Sequence, residues 1–360
     1  LRPLGFVVPG RLDQLTGGYL FDRHLVDGLR DRGRAVSVIE LDGAFPDSDD
    51  TAREAARAAL AAFPDDALVV IDGLALPGFE TCLAVHARRL RLVGFVHHPL
   101  SSEAGAAPTS LARHAALEAR LWPLLRGIVC PSAYTAREVI AAGIAPDRVA
   151  VAPPGTARAA ALEGARSAVQ PSTVEDRHPG VRLLAVGTVT PRKGHLALVE
   201  ALADLHDLDW RLDCVGSLER DPHCAAAVRR AIAAHRLGGR IALLGELPAA
   251  GLDAAWRRAD AFVLASLHEG YGMAFAEALV GGLPIVATRA GALPETVPAD
   301  ASLQVPPGDV GALREALRSL LGDAALRERL AAGARRAGAA LPDWPTAVDR
   351  WAGAVDRLAA

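Results

Sequence analysis

Ala265-Ser-Leu-His-Glu-Gly-Tyr-Gly-Met-Ala-Phe-Ala-Glu-Ala-Leu-Val-Gly-Gly282 follows directly on the apolar run Ala261–Leu264. Together they read as a short buried strand that turns into a helix opening near Gly272 and stopping at the Gly281-Gly282 pair. Between Gly270 and Thr288 the only charged side chain is Glu277, in a helix apolar on nearly every side and therefore expected inside the protein. A carboxylate there is costly unless something meets it. Glu277 stands about a turn and a half into the helix, where its two oxygens can accept hydrogen bonds from a vicinal diol placed at the helix terminus. Gly270 and Gly272 have no side chains, so backbone N–H groups of Gly270, Tyr271, Gly272 and Met273 can approach a ligand, and the helix dipole favours an anion at that point. Glu269, in the preceding loop, is expected to reach the same ligand from another side. An anion and a sugar in one place suggest a nucleotide-sugar.

Working outward, the chain has two stretches in which short apolar runs alternate with helical patterns. In the first, strands are expected at Leu4–Val8, Ala35–Leu41, Ala67–Ile71, Arg91–Val96, Gly127–Cys130 and Val149–Ala152. In the second they are expected at Leu183–Val186, Trp210–Val215, Ile241–Leu244, Ala261–Leu264 and Leu283–Ala287. Near-continuous apolar strands separated by helices imply parallel βαβ units, hence doubly wound sheets with ligand sites at the carboxyl ends of the strands. A length of 360 residues suits two such domains. Boundaries are placed at 1–158 and 181–342, with a linker over 159–180 that lacks periodicity, and a last helix, Thr346–Leu358, within 343–360 that returns to the first domain.

Composition narrows the function classes. The chain is 51% apolar, yet no uncharged run approaches twenty residues, so no membrane span is expected. Leu4–Val8 is too short an apolar run for a signal peptide and lacks a basic start, which points to the cytoplasm. Net charge is −3, and residues 1–160 carry 17 basic against 18 acidic groups, so nucleic acid is not an expected partner. Cys82, Cys130, Cys214 and Cys224 never form a Cys-x-x-Cys pair and read as free thiols. The segment Ser110–Arg126 is amphipathic, with Arg113, Arg120 and Arg126 opposed by Glu118; three arginines so offset favour ordinary packing over a membrane surface.

The basic residues comprise 38 arginines and one lysine, Lys193. That lysine lies in Gly187-Thr-Val-Thr-Pro-Arg-Lys-Gly194, which follows an expected strand and precedes a helix. A phosphate loop of the Walker type needs Gly before the lysine and Ser or Thr after it; Arg192 and Gly194 stand there instead. Gly17-Gly18, at the start of a helix expected over Tyr19–Arg32, offers a second anion site, and His97-His98 end the fourth strand. No further His or carboxylate has metal-ligand spacing around these histidines, so no metal is expected. Neither half carries Gly-x-Gly-x-x-Gly after its first strand, which argues against a dinucleotide oxidoreductase.

Ser266, two residues, Glu269-Gly-Tyr-Gly272, then Glu277 and Gly282-Leu-Pro-Ile-Val-Ala287 resemble glycosyltransferase family 4, a large retaining group with the GT-B fold. The resemblance extends through Ala152-Pro-Pro-Gly-Thr156, Cys130-Pro-Ser-Ala-Tyr134, Gly291-Ala-Leu-Pro-Glu295 and Pro307-Gly-Asp309, over nearly the whole chain. It implies an α/β GT-B architecture, two Rossmann-like domains facing a central cleft, and a metal-independent transfer from a nucleoside-diphosphate sugar to a small-molecule, glycan or lipid acceptor, with no cofactor. In the family the loop at Gly187 holds a basic pair on the diphosphate. Lys193 matches its second member, while the first member's place is Thr188 here and Arg192 is the candidate replacement. The glycine pair Gly17-Gly18 is implied to lie against donor phosphate and acceptor, and Gly245-Glu246-Leu247 to hold the base. The family histidine near the reacting bond corresponds to His97, with His98 as the alternative. Glu277 is implied to hold the ribose and Glu269 the transferred sugar. Asp13, Tyr19 and Glu103 are placed toward an acceptor. An epimerase or phosphorylase on the same fold, and a non-catalytic sugar-nucleotide binder, remain as the other readings.

Overall fold

A computed structural model describes residues 2–156 and 180–360, so of the expected linker 159–180 all but Gly180 lies outside the described residues. The chain divides into two compact units, the residues up to Gly155 with Trp344–Ala360, and Thr156–Asp343. In the first unit the elements are β1 (Leu4–Pro9), α1 (Gly17–Asp31), β2 (Val36–Leu41), α2 (Asp50–Ala61), β3 (Leu68–Asp72), β4 (Arg91–Phe95), α3 (Pro108–Leu121), β5 (Gly127–Cys130), α4 (Ala133–Ala141) and β6 (Val149–Val151). The second runs β7 (Val181–Val186), α5 (His195–Leu202), β8 (Trp210–Val215), α6 (Pro222–Ala234), β9 (Ile241–Gly245), α7 (Ala249–Arg258), β10 (Ala261–Leu264), α8 (Met273–Val280), β11 (Ile285–Thr288), β12 (Ser302–Val305), α9 (Val310–Gly322) and α10 (Ala324–Ala340). Trp344–Ala359, α11, belongs to the first unit.

Each unit holds one sheet of six strands among the described residues, ordered β2-β1-β3-β4-β5-β6 and β12-β11-β10-β7-β8-β9. Every pairing in both sheets is parallel. This is why β1, β3 and β10 are buried along their whole length: helices cover both faces, so the strands read as unbroken apolar runs. The strand order reverses direction between β1 and β3 in one sheet and between β7 and β10 in the other, and such switch points open a crevice at the carboxyl ends. The loops leaving β1, β4, β7, β9 and β10 at that end carry the residues singled out from the sequence.

One strand, β12, was not expected. Ser302-Leu-Gln-Val305 has only two apolar residues and lies at the sheet edge, where half of its residues are partly exposed, so no apolar run announces it. Helix α11 is fastened within its unit by both charge and packing. The buried Arg34 guanidinium pairs with Asp356 at 2.8 Å, and Trp351 meets Phe6 and Phe95 with ring centroids 5.8 and 5.7 Å apart. The amphipathic segment at Ser110–Arg126 is an ordinary packed helix: Arg113 pairs with Asp47, Arg120 with Glu80, and Leu121 and Trp122 are buried. All four cysteines are free; Cys224 is only half-buried, while Cys82, Cys130 and Cys214 are buried. No helix among the described residues is long and apolar enough to cross a membrane.

Candidate active site

The site residues of the second unit gather where β7 and β10 end. Thr190 lets Pro191 begin a single helical turn through Lys193, and Gly194 then adopts a left-handed φ of +68° before α5 starts. The glycine is required twice over, by that φ and by space, since a Cβ there would stand 1.9 Å from the Ala265 carbonyl oxygen. This close approach seats the β7 loop on the β10 loop. Leu267 N–H donates to the Arg192 carbonyl at 2.7 Å, and the Arg192 guanidinium donates to the His268 carbonyl at 3.1 Å. Gly194→Ala is accordingly expected to destabilise the second unit by about 3 kcal/mol or more, since it adds left-handed strain to a backbone collision. Gly308→Ala, also at positive φ (+79°) but with nothing within 4 Å, should cost about 1 kcal/mol. Urea unfolding of both variants checks the contrast.

The two loops share one carboxylate. Lys193 Nζ donates to Glu269 Oε1 at 2.6 Å, Ser266 Oγ donates to the same oxygen at 2.7 Å, and Arg192 lies 3.6 Å from Oε2. Glu269 is buried at 5% exposure. Burial alone would favour its neutral form, but Lys193 and Arg192 outweigh that and hold the carboxyl below its ordinary range. Glu269 therefore acts as the anchor of the basic pair, a role the spacing in sequence did not reveal. Thr288 donates to the Ser266 carbonyl and Thr296 to the Tyr271 carbonyl, so the loop is tied on its other flank as well.

Helix α8 begins after Gly272, whose φ is +94°, and no side chain caps it. In the same unit α5 after Gly194 and α7 after Pro248 also lack a side-chain cap, as do α1 after Thr16 and α3 after Ala107 in the first unit, whereas Asp49, Ser132, Asp221, Asp309 and Asp323 cap helices. At the helices that open here, the first N–H groups are left to a ligand or to water. Glu277 is half-buried in α8 and makes no hydrogen bond or ion pair among the described residues. Desolvation, with a smaller push from Asp253, raises its carboxyl to about 7. The cation nearest in the argument, Lys193, is bonded to Glu269 and not to Glu277. His195, just after Gly194, is buried with neither ring nitrogen paired, and burial followed by Lys193 lowers it to about 4, so it is neutral. Gly187 lies against the Lys193 stem, where a Cβ would meet its Cδ at 3.4 Å. Glu246 is exposed and Leu247 half-buried after β9.

In the first unit, His97 lies at the end of β4 beside the start of α1, and a Cβ at Gly18 would touch its ring at 3.5 Å. Although no carboxylate has ligand spacing to these histidines in the sequence, the fold brings two to His97: Asp22 of α1 and Asp72 at the end of β3 both reach Nε2, at 3.1 and 3.6 Å. Sequence spacing hides them because 75 residues separate Asp22 from His97. Signals existed, an acid on the buried face of α1 between Tyr19 and Leu25/Val26, and an acid closing the apolar strand Leu68-Val-Val-Ile-Asp72. Burial opposes a charge on His97, but the two carboxylates prevail and raise it to about 10. Burial raises Asp22 to about 7; burial pushes Asp72 the same way, but His97, the Asp22 carboxyl and the Leu74 N–H outweigh it and hold Asp72 low. Among the described residues Asp22, Asp72 and His97 are the one group of three whose donor atoms, all within 4.8 Å of one another, could hold a cation. His98 turns away to Glu103 at 2.7 Å. Tyr19 donates its hydroxyl to the Pro9 carbonyl, and Asp13 is exposed and paired with Arg11.

Two parallel sheets with helices on both faces define a two-domain Rossmann-like protein of the GT-B class. Residues 180–323 match the family described as Glycosyl transferases group 1, and residues 51–158 match Glycosyltransferase Family 4. Two separate stretches of the chain thus match glycosyltransferase families, one of them family 4. It is 32% identical over 156 residues to the D-inositol 3-phosphate glycosyltransferase of Pseudarthrobacter chlorophenolicus, covering 42% of this chain and 36% of that one. The chain thus spans less than half the length of the curated relatives it matches. Sucrose-phosphate synthase from Thermosynechococcus elongatus shares the fold with a TM-score of 0.79 at 20% identity, covering 98% of both chains. Anabaena HepE, solved with UDP and glucose, does so with a TM-score of 0.74 at 17% identity over 99% of this chain and 100% of that one.

Proposed function

We propose that this chain transfers a sugar from a nucleoside-diphosphate sugar to a hydroxyl acceptor, with retention at the anomeric carbon and without a metal ion. The observation that carries the reading is the meeting of Lys193, Arg192 and Glu269 beside two uncapped helix termini, with the unpaired Glu277 carboxylate one and a half turns into α8. A diphosphate suits the helix-terminal N–H groups and the two cations beside them, and a ribose diol supplies the donors that Glu277 lacks. The binding of UDP and glucose by HepE, a protein of the same fold, supports a donor of this class.

In such a reaction the bond from the anomeric carbon to the diphosphate oxygen breaks and its electron pair stays on the phosphate. The acceptor hydroxyl attacks on the same face and passes its proton to the departing phosphate oxygen. Charge growing on that oxygen is met by the Lys193 ammonium, which Glu269 holds in place, and by the Arg192 guanidinium. Glu269, held by three partners, is not free to act as a nucleophile. Thermal-shift screening with UDP-, GDP-, ADP- and dTDP-sugars, followed by product chromatography on the best donor, tests this. The expected result is one stabilising nucleotide family and slow release of free sugar with retained configuration. Isomerised donor would favour an epimerase, sugar phosphate formed on adding inorganic phosphate a phosphorylase, and binding with no turnover in any acceptor mixture a non-catalytic binder.

A further inference from the structure

We propose that Asp22 and Asp72 are positioning residues that clamp His97 as a fixed imidazolium, so that this histidine meets its substrate as a cationic N–H donor through Nδ1 and never as a proton acceptor. The geometry carries the argument. Both acids are buried, at 0% and 3% exposure, and neither has a lysine or arginine partner among the described residues. Above the value of about 7 to which burial raises Asp22 both acids are charged, and the imidazole whose Nε2 lies 3.1 and 3.6 Å from their oxygens is the cation within reach. Asp72 also accepts the Leu74 N–H at 2.6 Å, which fixes its carboxylate, while Asp22 meets both His97 and the Asp72 carboxyl.

The ring has little freedom to turn. Phe95 lies 4.3 Å and Phe21 5.9 Å from it, centroid to centroid, and the bare Gly18 backbone lies against its Cδ2 edge. With Nε2–H committed to the acids, the fifth of the side chain that stays exposed is where Nδ1–H is offered. The charged groups facing the ring are Asp22 from α1 and Asp72 from β3, while β4 presents Phe95. His98 pairs with Glu103, and His24 of α1 stacks on Trp344, so neither shares the proton. An imidazolium held in this way suits an electron-rich oxygen, a sugar hydroxyl or a phosphate oxygen, and cannot take a proton from an acceptor at neutral pH. The proposal rests on the transferase reading for its substrate, but not for its protonation state.

The deciding experiment is ¹⁵N-histidine NMR on the full chain, with Asp22→Asn and Asp72→Asn beside the wild type. In the wild type both His97 nitrogens should carry protons at pH 8, and each variant should lower the ring's titration by at least one pH unit. A wild-type ring that titrates near pH 6.5 overturns the clamp, as does stoichiometric binding of Zn²⁺ lost in His97→Ala, because a metal needs the Nε2 lone pair. In assays with the best donor, Asp22→Asn should lower kcat at least tenfold with little change in KM and bring an alkaline loss of activity below pH 9. Partial recovery in Asp22→Glu is expected, and an unchanged pH–rate profile in Asp22→Asn would count against the clamp. Should no donor be turned over, the transferase reading falls while the NMR result still decides the clamp.

Discussion

Lys193→Ala should lower transfer by a hundredfold or more in kcat and at the same time soften the second unit, and these two effects have separable causes. The catalytic loss follows from removing one cation from the departing phosphate, an interaction stronger in the transition state than in the bound donor; single preorganised donors of this kind contribute about 10²–10³ in rate. The stability loss follows from Glu269, which is buried and takes its 2.6 Å bond from Lys193. Removing one partner of a buried pair costs about 3–5 kcal/mol, and the Arg192 guanidinium at 3.6 Å and the Ser266 hydroxyl should keep the cost toward the lower end. Adding Glu269→Gln to Lys193→Ala removes the stranded charge, so the double variant should regain most of the stability and none of the activity. The sign with pH follows as well. Glu269 is held below its ordinary pKa in the folded chain, so the stability it contributes is present above the unfolded value near 4.5 and fades as pH falls through the folded one. In Lys193→Ala that acid-side dependence should shrink. Urea unfolding at pH 4 and pH 7, with initial rates for each variant, measures all three effects, and a double variant that regains activity would refute the assignment of Lys193.

The elements legible from sequence were those whose burial is simple. Ala261–Leu264 and Gly127–Cys130 stand within the expected limits because a strand covered on both faces must be apolar throughout, and Trp210–Val215 because its apolar residues alternate with the polar Arg211 and Asp213. Ser302–Val305 escaped because an edge strand needs no such run. Within the site, Glu277 and Lys193 stood out by isolation, the sole charge in its helix and the sole lysine in the chain. What sequence order could not supply was pairing across the switch points. Lys193 and Glu269 are 76 residues apart and meet only because β7 and β10 are neighbours. Asp22, Asp72 and His97 converge for the same reason, at the ends of β1, β3 and β4, and adjacent strands in these sheets are often distant in sequence. The basic pair shows a further limit: Arg192 reaches the Glu269 carboxylate beside Lys193, although the family pattern places the first basic residue where Thr188 stands.

Glu277→Gln should make the unliganded chain more stable at pH 8 and weaken nucleotide binding at the same pH, a trade that follows from a carboxylate held ready for a partner. Burial raises Glu277 to about 7 from an ordinary 4.5, and nothing among the described residues rewards its charge. A group whose folded pKa is raised contributes stability that is whole below the unfolded value and is lost as pH rises through the folded one, so Glu277 weakens the free protein increasingly between about pH 5 and pH 8. The full shift corresponds to about 3 kcal/mol, and screening at a half-buried carboxylate brings the expected gain for glutamine down to about 1–2 kcal/mol at pH 8 and close to nothing at pH 5. Differential scanning fluorimetry at the two pH values should show a Tm higher by roughly 2–6 °C at pH 8 only. Binding should move the other way. A carboxylate accepting two hydroxyl bonds from a ribose loses about 1–3 kcal/mol when made an amide, so nucleoside-diphosphate affinity should fall roughly five- to a hundredfold. Because the charged form is the one that binds, wild-type affinity should rise as pH increases through about 7, and the glutamine variant should lose that rise. Calorimetric titration with UDP and GDP at pH 6 and pH 8 reads both changes. Equal Tm differences at the two pH values, together with unaltered affinity, would show that Glu277 is an ordinary helix carboxylate and that the diol is held elsewhere.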